Sequence, residues 1–427
     1  MADEFSKFQD ELKMLRDRIK EMEAGKQAAP VREERPVTAQ APVYVPREEP
    51  PMAPPQQREA TPERPVTPER PATSERSATS ERTPMPEPAR PVSTDAEGPK
   101  GPVGLDLGTS NIVMAQNKGG DLYIAKQLNA FFPVVQSKFT KKILTQNNVL
   151  FVEKNKLYYV IGYSAEGFAN MFNENTRRPM EKGLLSSKED DGITIIQSII
   201  GTIVKRPKNF GEYICFSIPG IPVDNPAFVA GYESIIKMYL AGLGYTPLSI
   251  NEALAIVMEE LGDDNFTGVG ISMGGGMCNV CLSYLSVPVI TFSIQRGGDY
   301  IDAMVSREIG EPATKVKVTK EEALDLSALP RNRMETLLHV YYMDLINTLV
   351  DNLKHVISSS ENIPKISAPI PIVLSGGTAM PKGFKDRFDT HLRMINMPID
   401  ISEVRLAKDP LNTTAKGALK MAMTAET

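Results

Sequence analysis

Two short stretches of the chain join an apolar strand to a turn rich in glycine and small polar side chains. The first, residues 103–111, reads Val-Gly-Leu-Asp-Leu-Gly-Thr-Ser-Asn and carries Asp106 near the end of its strand. The second, residues 269–279, reads Val-Gly-Ile-Ser-Met-Gly-Gly-Gly-Met-Cys-Asn. Glycine lets a turn approach an anion closely, so that backbone N–H groups converge on it. Two such turns facing each other predict a nucleotide clamped between two related halves.

The order of the elements around these turns supports a duplication. Strand-like runs at 111–116 and 121–126 follow the first turn, and runs at 280–285 and 287–294 follow the second. A single glycine-rich turn is more often only a hairpin. Strands that alternate with helical segments, including amphipathic segments at 190–204 and 332–358, indicate an α/β protein.

Six motifs, in the same order along the chain, resemble signatures of the actin, sugar kinase and Hsp70 superfamily, and within it the bacterial actins of the MreB and MamK type. They begin at Gly104 (Gly-Leu-Asp-Leu-Gly-Thr-Ser-Asn), Arg178 (Arg-Pro-Met-Glu-Lys-Gly-Leu-Leu), Ile218 (Ile-Pro-Gly), Ile250 (Ile-Asn-Glu-Ala), Arg296 (Arg-Gly-Gly-Asp) and Leu374 (Leu-Ser-Gly-Gly-Thr-Ala-Met-Pro-Lys-Gly-Phe). The resemblance covers roughly residues 103–423. It implies an actin-like (ribonuclease H-like) duplicated ATPase domain with lobes at residues 102–253 and 254–427.

The resemblance also implies a site for ATP and Mg²⁺ between the lobes. Asp106 is the expected Mg²⁺ partner, through water, since Mg²⁺ takes few carboxylates. Glu252 is expected to orient the attacking water, although a glutamate at a helix N-terminus is also favoured by the helix dipole alone. The expected nucleotide-binding residues are Gly108, Thr109, Ser110, Asn111, Ser272, Gly274, Gly275, Gly276, Gly297, Gly298, Gly376, Gly377 and Thr378.

The chain departs from the family pattern at the second phosphate motif. Ser272 stands where active relatives have an acid, and Met277 and Cys278 stand where they have hydroxyl side chains. In the segment at 319–327, Leu324 and Ser327 align with an acid and a lysine that contact the ribose and adenine in the family. Binding of ATP is therefore expected with slow hydrolysis, and a structural pseudo-ATPase is the alternative.

Composition narrows the class of protein further. The chain has 427 residues, 41% hydrophobic and 24% charged, with a net charge of -5, which gives no electrostatic case for nucleic acid. Its three cysteines predict buried thiols in a reducing cytoplasm rather than a zinc site. No apolar run is long enough to span a bilayer, and the N-terminus does not resemble a secretory signal.

The first hundred residues differ in character from the rest. Apolar residues between 5 and 22 repeat at spacings of three and four, which predicts a coiled-coil helix over residues 1–25 that self-associates or binds a partner helix. A solvated amphipathic helix and a membrane-surface helix are the alternatives. Residues 26–101 are rich in proline, and the hexapeptide Thr-Pro-Glu-Arg-Pro-Val recurs in variants, which predicts a disordered linker.

Two classes of function fit these observations. The first is a cytoplasmic, filament-forming bacterial actin homologue whose assembly depends on ATP and whose N-terminal helix recruits partners or bundles filaments. The second is a non-polymerising actin-fold scaffold or pseudo-ATPase for a membrane-associated assembly. The globular part is short for a sugar kinase. The cargo of such a filament stays open.

Overall fold

The computed structural model describes residues 101–172, 174–223, 231–361, 363–366 and 368–426. The predicted N-terminal helix (residues 1–25) and the predicted linker (residues 26–101, apart from its last residue) lie outside this part of the chain. None of the helices in the described ranges is both long and apolar enough to cross a membrane.

Strands of the described chain are numbered in order. They are β1 Val103–Leu107, β2 Asn111–Lys118, β3 Asp121–Leu128, β4 Phe131–Val135, β5 Phe151–Lys154, β6 Leu157–Ile161, β7 Met180–Glu181, β8 Leu184–Leu185, β9 Tyr213–Ile218, β10 Thr246–Asn251, β11 Gly268–Met273, β12 Cys278–Tyr284, β13 Val287–Ile294, β14 Ile370–Ser375 and β15 Ile401–Leu406.

The α-helices of the same ranges are numbered likewise. They are α1 Lys138–Gln146, α2 Tyr163–Phe172, α3 Gly192–Ile203, α4 Tyr232–Leu243, α5 Glu252–Glu260, α6 Gly298–Ile309, α7 Ala313–Glu322, α8 Arg333–Ser359, α9 Phe384–Met394 and α10 Thr413–Glu426. A 3₁₀ turn, Gly377–Ala379, follows β14.

Two five-stranded sheets with the same topology form the body of the molecule. The first has the order β10-β9-β1-β2-β3 and the second β13-β12-β11-β14-β15. In each, the central strand (β1 or β11) pairs antiparallel with a following hairpin and parallel with a later strand. The central strands are almost wholly buried because helices cover the sheets. The predicted α/β architecture with two related halves is therefore confirmed.

Helices α5 and α10 fill the space between the two sheets. Helix α5 packs on β11 and β12 of the second sheet, α10 packs on β1 and β9 of the first, and the two helices contact each other. Small residues make this possible: a Cβ added at Gly417 would overlap with the backbone of Ala255, and one at Gly104 would overlap with the backbone of Ala415. The last helix thus packs on the first sheet, and the lobe boundary at 253/254 stays a prediction.

The remaining helices cover the outer faces of the sheets. Helices α3 and α4 pack with the first sheet, and α6, α8 and α9 pack with the second. A smaller sheet of order β4-β6-β5 packs with α1 and α2. The periodicity of residues 190–204 predicts an apolar face formed by Ile193, Ile196, Ile199, Ile200 and Ile203. This prediction is wrong at Ile193, which is exposed, and Ile195 is buried in its place.

Two elements differ from their sequence patterns in detail. The pattern of residues 148–161 predicts a hairpin around residues 153–155, and its turn lies at Asn155 and Lys156, both with positive φ. The pattern of residues 225–242 predicts a helix, which is described from Tyr232, since residues 224–230 lie outside the described ranges. The sequence did not predict strands β4, β7, β8, β10 and β15 or helices α1, α6, α9 and α10.

The close contact between α5 and α10 makes a stability prediction. Gly417→Ala should lower the free energy of unfolding by about 2–3 kcal/mol, because the new methyl group meets backbone atoms that cannot rotate away. Denaturant unfolding of the full chain measures this. The matched control is Gly167→Ala on α2, where an added Cβ meets nothing within 4 Å and should stabilise by about 0.5–1 kcal/mol. Equal effects of the two substitutions would contradict the packing argument.

Candidate functional site

The two glycine turns face each other across the gap between the sheets. A Cβ added at Gly275 would overlap with Oγ of Ser110, and one added at Gly276 would overlap with Oγ1 of Thr109. The first turn ends β1 and the second ends β11, so the equivalent strands of the two sheets bring them together. Glycine is required at 276, where a Cβ would also lie 2.5 Å from the backbone nitrogen of Gly183.

Backbone donors converge at this contact. Within the described residues, the N–H groups of Thr109, Ser110, Gly275 and Gly276 donate to no other group. Buried or half-buried N–H groups without a protein partner are rare. Opposed turns with such donors have the chemistry to bind an anion such as phosphate.

Asp106 and Glu252 lie beside the turns as a pair of partly buried carboxylates. Asp106 Oδ1 accepts a hydrogen bond from Ser217 Oγ at 2.9 Å. Burial raises the pKa of Asp106. Burial, and then the neighbouring charge of Asp106, raise the pKa of Glu252. A pair of carboxylates that repel each other in this way favours a cation between or beside them.

Glu252 begins α5, and a polar network orients it. Its Oε2 accepts hydrogen bonds from Asn279 Nδ2 at 2.7 Å and from Ser272 Oγ at 3.2 Å. Asn279 is fully buried, and its Oδ1 accepts from the N–H of Gly220, in the segment after β9 of the first sheet. Ser272 therefore positions Glu252 instead of adding a charge. The helix itself is capped by Asn251, whose side chain accepts from the N–H groups of Ala253 and Leu254.

The predicted glycine segments at 297–298 and 376–378 both contact the segment of Gly274 in the second half of the molecule. The carbonyl oxygen of Gly274 accepts from the N–H of Gly298 at 3.1 Å and from Thr378 Oγ1 at 2.9 Å. A Cβ at Gly297 would lie 2.5 Å from the same oxygen. Gly376 has a φ of +94° and packs on the backbone of Met273. The structure thus brings these predicted residues together, and Gly377 lies beside them in the 3₁₀ turn. The N–H of Gly298 donates to a protein carbonyl and is therefore not a free donor for a ligand.

The first turn is held by Asn129. Its Nδ2 donates to the carbonyl of Gly108 at 2.9 Å, and its N–H donates to the carbonyl of Ser110 at 3.0 Å. Asn111 begins β2 directly after the turn. All four predicted residues of this turn therefore lie at the junction of β1 and β2, opposite the second turn.

Lys126 is a cation at the site that sequence reasoning missed. Asp106 pairs with Val113 on β2, and Val113 pairs with Lys126 on β3, so the three side chains lie on one face of the sheet. Burial lowers the pKa of Lys126, and Glu321 and Asp106 oppose this effect. The available signal was a lysine in an otherwise apolar run of β3. Asn279 was missed too, and its signal was a similar one: a polar amide side chain inside the buried strand β12.

The segment at 319–327 aligns with the family segment that contacts the ribose and adenine, but its side chains differ from the family pattern. Helix α7 ends at Glu322, and Leu324 is buried in the core of the second sheet. Ser327 donates to Asp325. In this region Lys320 Nζ pairs with Asp302 Oδ2 at 2.7 Å and donates to the carbonyl of Gly298 at 2.9 Å, all buried. Burial, only partly offset by Lys320, raises the pKa of Asp302 to about 6.

The residues present fit a nucleotide with a divalent cation. Asp106 Oδ2 and Glu252 Oε1 accept no hydrogen bond from the described residues. The unpaired N–H groups and Lys126 supply donors and positive charge. Mg²⁺ needs only one or two protein carboxylates when phosphates and water complete its shell. Asp106 would hold such an ion and Glu252 a water molecule.

Comparison with known protein families shows to which family this chain belongs. A sequence profile of the family described as Volactin matches residues 102–422, which is more than half of the chain. The chain belongs to the Volactin family. No curated protein sequence matches it.

Solved structures share the fold of this Volactin-family chain. The MamK double helical filament has a TM-score of 0.56 and 19% identity, over 76% of this chain and 99% of that chain. MreB5 of Spiroplasma citri bound to ADP has a TM-score of 0.53 and 13% identity, over 76% and 98%. The form bound to AMPPNP has a TM-score of 0.51 and 12% identity, over 76% and 96%. The actin-like ATPase fold expected from the motifs is therefore confirmed.

The carboxylate pair predicts the pH dependence of stability. A carboxyl group whose pKa is raised in the folded protein contributes stability below its unfolded pKa, and this is lost as the pH rises through the folded value. Glu252→Gln should therefore raise the free energy of unfolding by about 1–3 kcal/mol at about pH 8.5 and much less at about pH 5. Urea unfolding at both pH values, without nucleotide, measures it.

The control for this prediction is a buried glutamate in the same helix with an opposite charge partner. Glu260 Oε2 pairs with Arg405 Nη1 at 2.6 Å. Glu260→Gln should destabilise, because it leaves the Arg405 charge without its partner. If Glu252→Gln, like this control, lowers the free energy of unfolding at the higher pH, the charge of Glu252 does not destabilise the folded protein and the prediction is wrong.

Proposed function

We propose that this protein binds ATP with Mg²⁺ between its two sheets and assembles into cytoskeletal filaments in the cytoplasm, with slow hydrolysis of the bound nucleotide. The observation that carries the proposal is the opposition of two phosphate turns at equivalent strands of a duplicated fold, with Asp106 and Glu252 beside them. MamK is described in a double helical filament, and MreB5 with ADP and with AMPPNP.

The chemistry assigned to each residue follows from its surroundings. The turns donate N–H groups to phosphate oxygens, and Lys126 adds a positive charge on the face of Asp106. Mg²⁺ would supply charge neutralisation on the phosphates. Glu252, with a raised pKa and two fixed donors, orients water and accepts a proton from it. Phosphoryl transfer depends mainly on such positioning and charge.

Slow turnover is proposed because the second turn lacks two groups of active relatives. Ser272 brings no charge and is occupied with Glu252. Met277 is buried against Gly183 of the β7–β8 turn and adds no hydroxyl to the site. The same two observations also fit the second candidate function, a pseudo-ATPase scaffold that binds nucleotide without turnover. Slow turnover is preferred because Asp106, Glu252 and the glycine turns remain. In either case residues 5–22 are proposed to bind a helical partner or a second copy.

Phosphate release from the full chain with Mg²⁺ and ATP tests hydrolysis. Glu252→Gln should reduce the rate by about 100-fold, since it removes the group that accepts the proton. Glu259→Gln, one residue earlier than Glu260 and paired with Lys420, is the matched control and should keep the wild-type rate. A wild-type rate equal to that of Glu252→Gln would favour the pseudo-ATPase.

Electron microscopy of the purified chain tests assembly. Ordered filaments are expected with ATP and Mg²⁺, because a nucleotide held by both turns fixes the spacing of the two sheets. Gly276→Val should abolish them, since its side chain would overlap with Thr109 and with the backbone of Gly183. A variant without residues 1–100 should still form single filaments while losing bundles. Monomers of the wild type under all nucleotide conditions would favour the scaffold.

A further inference from the structure

One ion pair crosses between the two phosphate turns. Arg178 Nη1 donates to Asp299 Oδ2 at 2.7 Å and to Ser110 Oγ at 3.3 Å. Arg178 precedes β7, on the side of the first sheet, and Asp299 lies in the first turn of α6, on the side of the second. Both side chains are partly exposed, at 27% and 37%. The pair is therefore partly accessible to solvent.

Each partner of this ion pair is tied to one of the turns. The N–H of Asp299 donates to the carbonyl of Gly275 at 2.9 Å, and its Oδ2 lies 3.2 Å from the position of a Cβ at Gly275. Arg178 is tied to the first turn through Ser110. A phosphate group seated between the turns would move them apart, since they are already in contact, and would lengthen the Arg178–Asp299 distance.

Arg178 has the chemistry to change partners. Among the described residues, only its Nη1 donates, so Nη2 and Nε have no protein acceptor. A guanidinium binds phosphate with two parallel hydrogen bonds. A terminal phosphate carries close to two negative charges at neutral pH, against one on the carboxylate of Asp299. The phosphate is therefore the stronger partner when it reaches the guanidinium.

We propose that Arg178 distinguishes a nucleoside triphosphate from a diphosphate, by exchanging the carboxylate of Asp299 for the terminal phosphate. This inference rests on the proposed nucleotide site. A diphosphate is one phosphate group shorter, so Asp299 keeps Arg178 and the ion pair continues to join the turns. With a triphosphate the ion pair is broken, and the phosphate joins the turns in its place. Asp299 thus acts as a competitor of the ligand.

Calorimetric titration of the full chain with AMPPNP and with ADP, each with Mg²⁺, tests the proposal. Arg178→Ala should weaken AMPPNP binding about 10- to 100-fold, the value of charge-assisted hydrogen bonds, and ADP binding by less than about threefold. Asp299→Asn should strengthen AMPPNP binding several-fold and leave ADP binding nearly unchanged, because it removes the competitor.

The chain offers a matched control in the preceding residue. Arg177 Nη2 pairs with Glu189 Oε2 at 2.6 Å, and both residues lie in the half of the molecule formed by the first sheet. Arg177→Ala should leave both affinities unchanged. Arg178→Lys keeps the charge, provides a second variant if Arg178→Ala fails to fold, and should also lose AMPPNP affinity because an ammonium lacks the guanidinium fork.

Each other outcome overturns the proposal. Equal losses for AMPPNP and ADP in Arg178→Ala or Arg178→Lys would make Arg178 a general electrostatic contributor with no discrimination. Weaker AMPPNP binding in Asp299→Asn would make Asp299 a supporting residue and not a competitor. In both cases the nucleotide site itself would stand. Failure of the wild type to bind either nucleotide would remove the proposed function together with this inference.

Discussion

The structure depends on the close approach of α5 and α10 in the space between the two sheets. Glycine and alanine at this crossing let backbone meet backbone, with Gly417 against Ala255 and Gly270 of β11 against Ala253. Helix α5 follows a strand of the first sheet in the chain and α10 follows a strand of the second, but each packs on the opposite sheet. The contact between the two helices therefore fixes how β1 and β11 lie relative to each other, and so where the two turns meet.

The site at this meeting point is electrostatically costly. Partial burial raises the pKa of both Asp106 and Glu252, and the charge of Asp106 raises that of Glu252 further. Hydrogen bonds from Ser217, Ser272 and Asn279 offset only part of this cost. Ionisable groups whose arrangement lowers stability are common at sites where a bound charged ligand offsets the unfavourable electrostatic energy. Arg178 and Asp299 provide a second charged pair across the same gap. A cation and a polyphosphate are the ligands that would satisfy both sets together.

Predictions from the sequence succeeded where local signals were strong. The strands β1, β2, β11 and β13, the helices α3 and α8 and the glycine turns were assigned because apolar periodicity and glycine are local features. The motifs also pointed to Asp106 and Glu252, which the structure places beside the turns and whose roles stay predictions. Lys126, Asn279 and the partner of Arg178 were missed, because each owes its place to strand register or to a contact between residues 59 to 121 positions apart.

The sequence by itself determined the class of the fold, its duplication and the residues of the two glycine turns, because these depend on short motifs and on patterns within single elements. Only the tertiary structure decided that the turns touch, that Ser272 serves Glu252, that Met277 is buried on Gly183, and that α10 covers the first sheet. These facts depend on which backbone and side-chain surfaces approach closely once both sheets have formed. No local pattern encodes that choice, since it is made by packing between segments far apart in the chain.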